Sequence, residues 1–347
     1  MVNEQAPRAV DRDMAEQPDV LAGLLERRAA IARDCAPLLR RPPAGVLLVA
    51  RGSSDNAATY GRYILEAALG RPAALSANSL FTRYDCRTAL SGWLVVAVSQ
   101  SGETPEITEV LTRAAELGGT SLALTNSEDS SLARAAQIVV PLGAGTERAV
   151  PATKTYTATL LALALLAEIC GTPPWATGAL SELPATCARV LADTAGLADA
   201  VATLRAGTHS VHLGTGYLYC AALESALKMR ETALLPVEGY AHGDFLHGPI
   251  AASGAGTIAV SHVGSGPTRP DAVRSAENLR ARGATVLALG AHLDDFPCDR
   301  TLSLDEAPEA LAALPHAIVG QQLAIGVATA LGLDPDHPQG LRKVTIT

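Results

Sequence analysis

The sequence is poor in aromatic residues. It has no cysteines at metal-ligand spacing, no block of basic residues and no apolar run of membrane length. Each absence excludes a class of function. Aromatics are 3% of the 347 residues while hydrophobic residues are 48%, so the core is built from Ala, Leu and Val, which suits stacked helices and parallel strands better than an antiparallel sandwich. A formal net charge of −8 with dispersed cations argues against nucleic acid as a partner. The longest apolar stretch, Thr155 to Cys170, falls short of the ~18 residues a membrane span requires. Met1 to Pro18 is polar and charged, with no signal-peptide core. The six cysteines, at 35, 86, 170, 187, 220 and 298, form no CxxC and have no clustered histidine. They read as reduced thiols of a cytoplasmic protein, with no metal and no cofactor implied.

One stretch organises the rest, Leu94-Val-Val-Ala-Val-Ser-Gln-Ser-Gly-Glu-Thr-Pro-Glu106. It opens as a continuous apolar run, the pattern of a strand buried on both faces of a parallel sheet. It turns through Ser99-Gln100-Ser101-Gly102 and restarts on Thr104-Pro105-Glu106, a capping hydroxyl, a proline at the first helical position and an acid in the first turn. Strand, small polar loop and helix start aim backbone N–H groups and hydroxyls at an anion, and a phosphate fits. An ordinary βα turn with a good N-cap has the same local pattern.

Along the chain, residues 1–13 read as disordered. A helical pattern runs from Met14 to about Leu39, interrupted at Pro18 and ended by Arg40-Arg41-Pro42-Pro43. Strands are expected at Gly45–Ala50, Pro72–Ser76, Leu94–Val98, Thr120–Thr125 and Gln137–Pro141. Helices are expected at about Ala57–Leu69, Glu109–Leu117, Ser130–Ala136 and Thr153–Ile169, so the order is that of a doubly wound parallel sheet. A linker and helix over 171–197 divide a first domain, 14–170, from a second, 198–347. The helix is expected at about Ala188–Leu204, and a second cycle follows: strand Ser210–Leu213, turn Gly214-Thr215-Gly216, helix Leu218–Arg230. Leu47-Leu-Val-Ala-Arg-Gly-Ser-Ser54 resembles Ser210-Val-His-Leu-Gly-Thr-Gly216, and Trp93–Gly102 resembles Thr257–Gly266. Two copies of one α/β unit are the simplest account. The second copy of the polar loop, Val263-Gly-Ser-Gly-Pro267, has fewer hydroxyls, so one phosphate site, in the first half, is expected.

Ser99-Gln-Ser-Gly-Glu-Thr104, Gly52-Ser-Ser54 and the tandem repeat resemble the sugar isomerase (SIS) domains that bind phosphosugars. The likeness is strongest to the isomerase half of glucosamine-6-phosphate synthase and to SIS-fold glucosamine-6-phosphate deaminases. It extends to Met14-Ala-Glu-Gln-Pro18, Thr146–Tyr156, Ala226-Leu-Lys-Met-Arg-Glu231, Gly239–Pro249 and Leu341–Thr347. The resemblance implies two tandem doubly wound parallel-sheet SIS domains and a sugar phosphate substrate. It implies Ser53, Ser54, Ser99, Gln100, Ser101 and Thr104 as phosphate ligands and Val150 and Ala152 as walls of the sugar site. Glu231 falls where the family moves a proton between C1 and C2, with Lys228 one helical turn earlier. His247 falls where the family has a ring-opening histidine supplied across a homodimer. Lys343 falls where the synthase has the lysine that forms an imine with the open-chain ketose. Two departures stand out: no cysteine follows Met1, which leaves glutamine without a site as nitrogen donor, and the tail is one residue shorter after Lys343.

Taken singly, these residues have ordinary readings: Glu231 a solvated helix acid, His247 or its neighbour His242 a core or capping histidine, Lys343 a tail lysine. Lys154 and Arg148 read as helix-end cations. Taken together, they imply conversion of glucosamine 6-phosphate to fructose 6-phosphate and ammonia. The alternatives are a deglycase or an ammonia-dependent aminating isomerase on a related amino-sugar phosphate, and, in another class, a non-catalytic phosphosugar sensor.

Overall fold

The structure is a computed structural model that describes residues 7–36 and 42–343. The end of the first expected helix, around Leu39, and the last residues of the tail lie outside that range. The chain opens on three short helices, α1 (Ala9–Ala15), α2 (Gln17–Glu26, with Pro18 in its first turn) and α3 (Arg28–Asp34). Helix α1 begins inside the stretch expected to be disordered, five residues before the helical pattern expected from Met14. Val10 is buried, and the Asp336 carboxylate accepts the Ala9 and Val10 N–H groups at 2.8 and 2.7 Å. That cap comes from the far end of the chain, so local sequence could not announce it.

The first half continues as β1 (Val46–Val49), α4 (Ser53–Leu69), β2 (Ala73–Leu75), α5 (Asn78–Thr82), β3 (Leu94–Val98), α6 (Pro105–Glu116), β4 (Thr120–Thr125), α7 (Ser131–Ala135), β5 (Ile138–Pro141) and α8 (Lys154–Cys170). Two helices, α9 (Leu183–Ala192) and α10 (Leu197–Ala206), occupy the span expected as one. Gly196 at φ 73 turns the chain between them, and Asp193 Oδ1 accepts the Ala195 N–H at 2.9 Å. The second half is β6 (His209–Leu213), α11 (Tyr219–Ala233), β7 (Val237–Tyr240), α12 (His242–Leu246), β8 (Thr257–Val263), α13 (Arg269–Ala281), β9 (Thr285–Gly290), β10 (Arg300–Ser303) and α14 (Ala313–Ala330).

The two five-stranded sheets have the orders β2-β1-β3-β4-β5 and β7-β6-β8-β9-β10. All their pairings are parallel. The orders are the same once the second half is aligned on the first, so β1 matches β6 and β3 matches β8, as the repeat requires. Every residue of β3 is buried, the reason its sequence is an unbroken apolar run. The halves meet through helices. Residues Lys154 to Ala167 of α8 are buried without exception, and α14 is nearly as enclosed. A helix covered all round shows no amphipathic stripe. Among the described residues no helix is long and apolar enough to cross a membrane.

Candidate active site

Strands β1 and β3 are neighbours at the point where the first sheet's order reverses. Beyond the carboxyl ends of such strands a ligand crevice opens. After β1 the chain passes through Arg51 and Gly52 and enters α4 at once on Ser53 and Ser54, four residues earlier than the apolar spacing suggests. Gly52 stands at φ 60, ψ −136, and no side chain caps the helix, so first-turn amides are left for an external acceptor. After β3, Ser99 Oγ accepts the Gly102 N–H and Ser101 Oγ accepts the Glu103 N–H, both at 3.2 Å. Each hydroxyl keeps its own hydrogen to donate. Thr104 is the N-cap of α6 as expected, yet its side chain makes no capping bond, so its hydroxyl too is unspent. Arg51 clips the two turns together, donating to both Glu106 oxygens at 2.8 and 3.0 Å. The turns present hydroxyls and helix starts rather than cations, a grip suited to an anion.

Helix α11 lies against α4 and carries the second group. Lys228 is buried, pairs with the Glu231 carboxylate and lies 3.4 Å from Glu224 Oε1. Burial alone would lower the Lys228 ammonium, but Glu231, Glu224 and the nearby Glu147 outweigh it and hold the group above its ordinary range. Lys228 is therefore a fixed cation, poorly suited to attack a carbonyl. Glu224 is fully buried and its carboxyl is pushed up by that burial, against the opposing charge of Lys228. Asn56, one turn into α4, donates to Glu224 Oε2 at 2.8 Å. The helix that opens on Ser53 and Ser54 is thus bonded to the helix that carries Glu231. Glu231 itself keeps 23% of its side chain exposed, enough to meet a ligand.

A third group comes from the loop between β5 and α8. Glu147 is buried, and the start of α8 holds it firmly. Its Oε1 accepts the Thr153 N–H at 2.8 Å and the Thr155 N–H at 3.2 Å, and its Oε2 accepts the Thr155 hydroxyl at 2.7 Å. Lys343, arriving from the tail, donates to the same Oε2 at 2.9 Å and to the Ala149 carbonyl at 2.6 Å. A cleft of about 620 Å³ opens here, lined by Gln100, Ser101, Asn126, Thr146, Glu147 and Lys343 among others. The structure therefore brings the second Ser turn and the tail lysine to one cavity. Val150 and Ala152 lie on the same loop but are not among the residues lining the cleft.

His247 follows α12, exposed, with no side-chain hydrogen bond among the described residues. His242 is buried with both ring nitrogens unpartnered, and burial lowers it to about 4. Burial makes His242 a core histidine and leaves His247 as the accessible one.

Sequence reasoning passed over Glu147, Glu224, Asn56 and Arg51. It also passed over the scarcity of lysine: the chain has three, Lys154, Lys228 and Lys343, among 27 basic residues. Lys154 is buried and paired with Asp13 and Glu16, Lys228 with Glu224 and Glu231, and Lys343 with Glu147. Arginine supplies all the other basic positions, and arginine cannot form an imine.

The model of the SIS domain matches the chain twice, over residues 41–169 and 204–331. The chain belongs to the SIS family. This SIS protein is 33% identical over 343 residues to the glutamine–fructose-6-phosphate aminotransferase (isomerizing) of Methanothermobacter thermautotrophicus, covering 98% of this chain and 55% of that protein. It thus spans about half the length of the curated relatives it matches. Its fold is that of the C-terminal domain of glucosamine-fructose-6-phosphate aminotransferase from Francisella tularensis, with a TM-score of 0.85, 23% identity and coverage of 97% and 100% of the two chains. Glucosamine-6-phosphate deaminase from Thermotoga maritima superposes with a TM-score of 0.74 at 25% identity over 94% of this chain and 99% of that one. Both halves of this protein are SIS domains, and phosphosugar isomerases share their fold.

Proposed function

We propose that this SIS protein is a phosphosugar aldose–ketose isomerase and deaminase that converts glucosamine 6-phosphate and water to fructose 6-phosphate and ammonia. The observation that carries the reading is the convergence on one cleft of the Gln100–Ser101 turn and Lys343, with the Lys228–Glu231 pair bonded through Glu224 and Asn56 to the other Ser turn. The phosphate lies against Ser53, Ser54, Ser99, Gln100, Ser101 and Thr104. Glu231 moves a proton from C2 to C1 of the open-chain sugar, Lys228 keeping its carboxylate in place. The C2 imine that results is attacked by the Lys343 amine, which expels ammonia and leaves the sugar as a lysine imine, and water hydrolyses that imine to the ketose and free Lys343. His247 is exposed, and in this reading it opens the ring in a second copy, so the working unit is a homodimer in the cytoplasm.

The relatives named as glutamine–fructose-6-phosphate aminotransferases favour a second direction, amination of the ketose, for which the donor proposed here is free ammonia. Both directions share the same proton transfer. Ammonia release is to be measured against a panel of amino-sugar 6-phosphates and fructosamine 6-phosphates, with the reverse run in ammonium salt. Glucosamine 6-phosphate is expected to give ammonia and ketose phosphate in equal amounts. If no member of the panel turns over in either direction, the sensor class replaces the enzyme.

A further inference from the structure

The ketose-imine reading leaves one step unassigned. At neutral pH a lysine is an ammonium, and only a free amine attacks a carbonyl. We propose that Glu147 positions Lys343 and takes its proton, so that imine formation does not wait for hydroxide. The inference rests on the Proposed function reading of Lys343 as the imine-forming lysine.

The two oxygens of Glu147 have different partners. Oε1 is tied to the backbone N–H groups of Thr153 and Thr155 at 2.8 and 3.2 Å, at the start of α8. Oε2 is shared between the Thr155 hydroxyl at 2.7 Å and Lys343 Nζ at 2.9 Å. One oxygen anchors the group and the other is offered to the lysine. The Ala149 carbonyl takes a second direction of the same nitrogen at 2.6 Å. With two of three N–H directions fixed by one loop, the remaining one has no partner among the described residues and is offered to the cleft that Glu147 and Lys343 both line. An acid buried at a helix start, with no partner but that lysine among the ion pairs of the described residues, has no need of Lys343 for its own solvation. The amides and hydroxyls already supply that.

The step balances without a further reactant. Glu147 takes one proton from the Lys343 ammonium. The amine's electron pair forms the N–C bond to the ketose carbonyl carbon, the carbonyl pair moves to oxygen, and a second amine proton follows it. Glu147 returns its proton to that hydroxyl, which leaves as water while the nitrogen pair closes the C=N bond. The products are one protonated imine, one water and Glu147 as carboxylate again.

The test is reductive trapping with cyanoborohydride and fructose 6-phosphate, scored by peptide mass. Because the chain has three lysines, the adduct is assigned without ambiguity. Wild type is expected to label Lys343. Glu147→Gln keeps the reach but cannot accept the proton, and should label about 10²-fold more slowly at pH 7, the gap closing as pH rises towards about 10, where a lysine sheds its own proton. If wild type labels Lys343 and Glu147→Gln labels it equally fast at every pH, or slower by one factor at every pH, Glu147 is no proton acceptor and the inference fails. If wild type leaves Lys343 unlabelled, the imine reading itself fails and takes this inference with it. Should Glu147→Gln lose its cooperative melt, Thr155→Val tests the same oxygen in an intact site. With that donor gone Oε2 is the stronger proton acceptor, so trapping should quicken at pH 7 by a smaller factor, the difference vanishing towards about pH 10, and wild-type behaviour at every pH would overturn the proposal.

Discussion

At the scale of single residues, the chemistry lies in how few groups are left unpaired. Ser99 and Ser101 brace their own turn through their oxygens and still have hydrogens to give. On the proposed phosphate site, replacing both with alanine removes two charge-assisted bonds and should weaken binding of a sugar 6-phosphate by on the order of 3–6 kcal/mol. Calorimetry reads this directly, and equal affinity of the two proteins would place the phosphate elsewhere. The turn that carries these serines was legible because an apolar run, a few small polar residues and a helix start mark strand, loop and helix in order. Glu147 was not. Its meaning comes from Lys343, 196 residues away, and from two threonines that look like ordinary helix-start residues. Glu224 was hidden by its position inside α11, where an acid reads as solvated until burial is known.

At the scale of elements, strands were legible and helix starts less so. Continuous apolar runs marked β1 and β3, because strands covered on both faces need them. Strand β7 was missed: Glu238, Gly239 and Tyr240 carry no apolar pattern, and the strand exists because it pairs with β6 at the sheet edge. Helix α4 begins before its first apolar residue, since its opening serines are half-buried and its Asn56 is tied to the buried Glu224 carboxyl rather than packed in an apolar core. The turn before α6 depends on Gly102, at φ 66, where a Cβ would stand 2.1 Å from Ser130 Oγ. Ser130 caps α7 by accepting the Ala133 N–H at 3.2 Å. Gly102→Ala should therefore cost more than the ~1–2 kcal/mol of left-handed backbone strain alone, and should loosen phosphate binding as well. Denaturant unfolding with and without the sugar phosphate separates the two effects. A variant as stable as wild type would show that the turn tolerates another conformation.

At the scale of the whole molecule, two SIS halves of one topology have diverged in their side chains: the serine turns lie in the first, the Lys228–Glu231 pair in the second, and α8 and the tail join them. The second half also carries a buried histidine group. Burial lowers His316 to about 3 and, against the opposing pull of Asp271, His242 to about 4; burial with the Arg230 charge lowers His212 to about 3, and burial with the neighbouring histidines puts His262 well below its usual value. Unfolded, each titrates near its ordinary 6.5, so below that pH the unfolded chain binds protons the folded chain refuses. Stability is full above about pH 6.5 and falls as pH drops towards the folded values, by ~1.4 kcal/mol per group per pH unit. The melting temperature should decline steeply from pH 7 to 5.5, and a flat profile would mean these rings accept protons without unfolding. The central claim is that this chain enolises a sugar phosphate through Glu231. Exchange of the C2 hydrogen of glucosamine 6-phosphate with solvent deuterium, followed by NMR, isolates that step from what happens to nitrogen. Wild type should exchange, and Glu231→Gln should do so ~10²–10⁴-fold more slowly while binding the substrate nearly as well. Exchange by the variant at the wild-type rate would contradict the account.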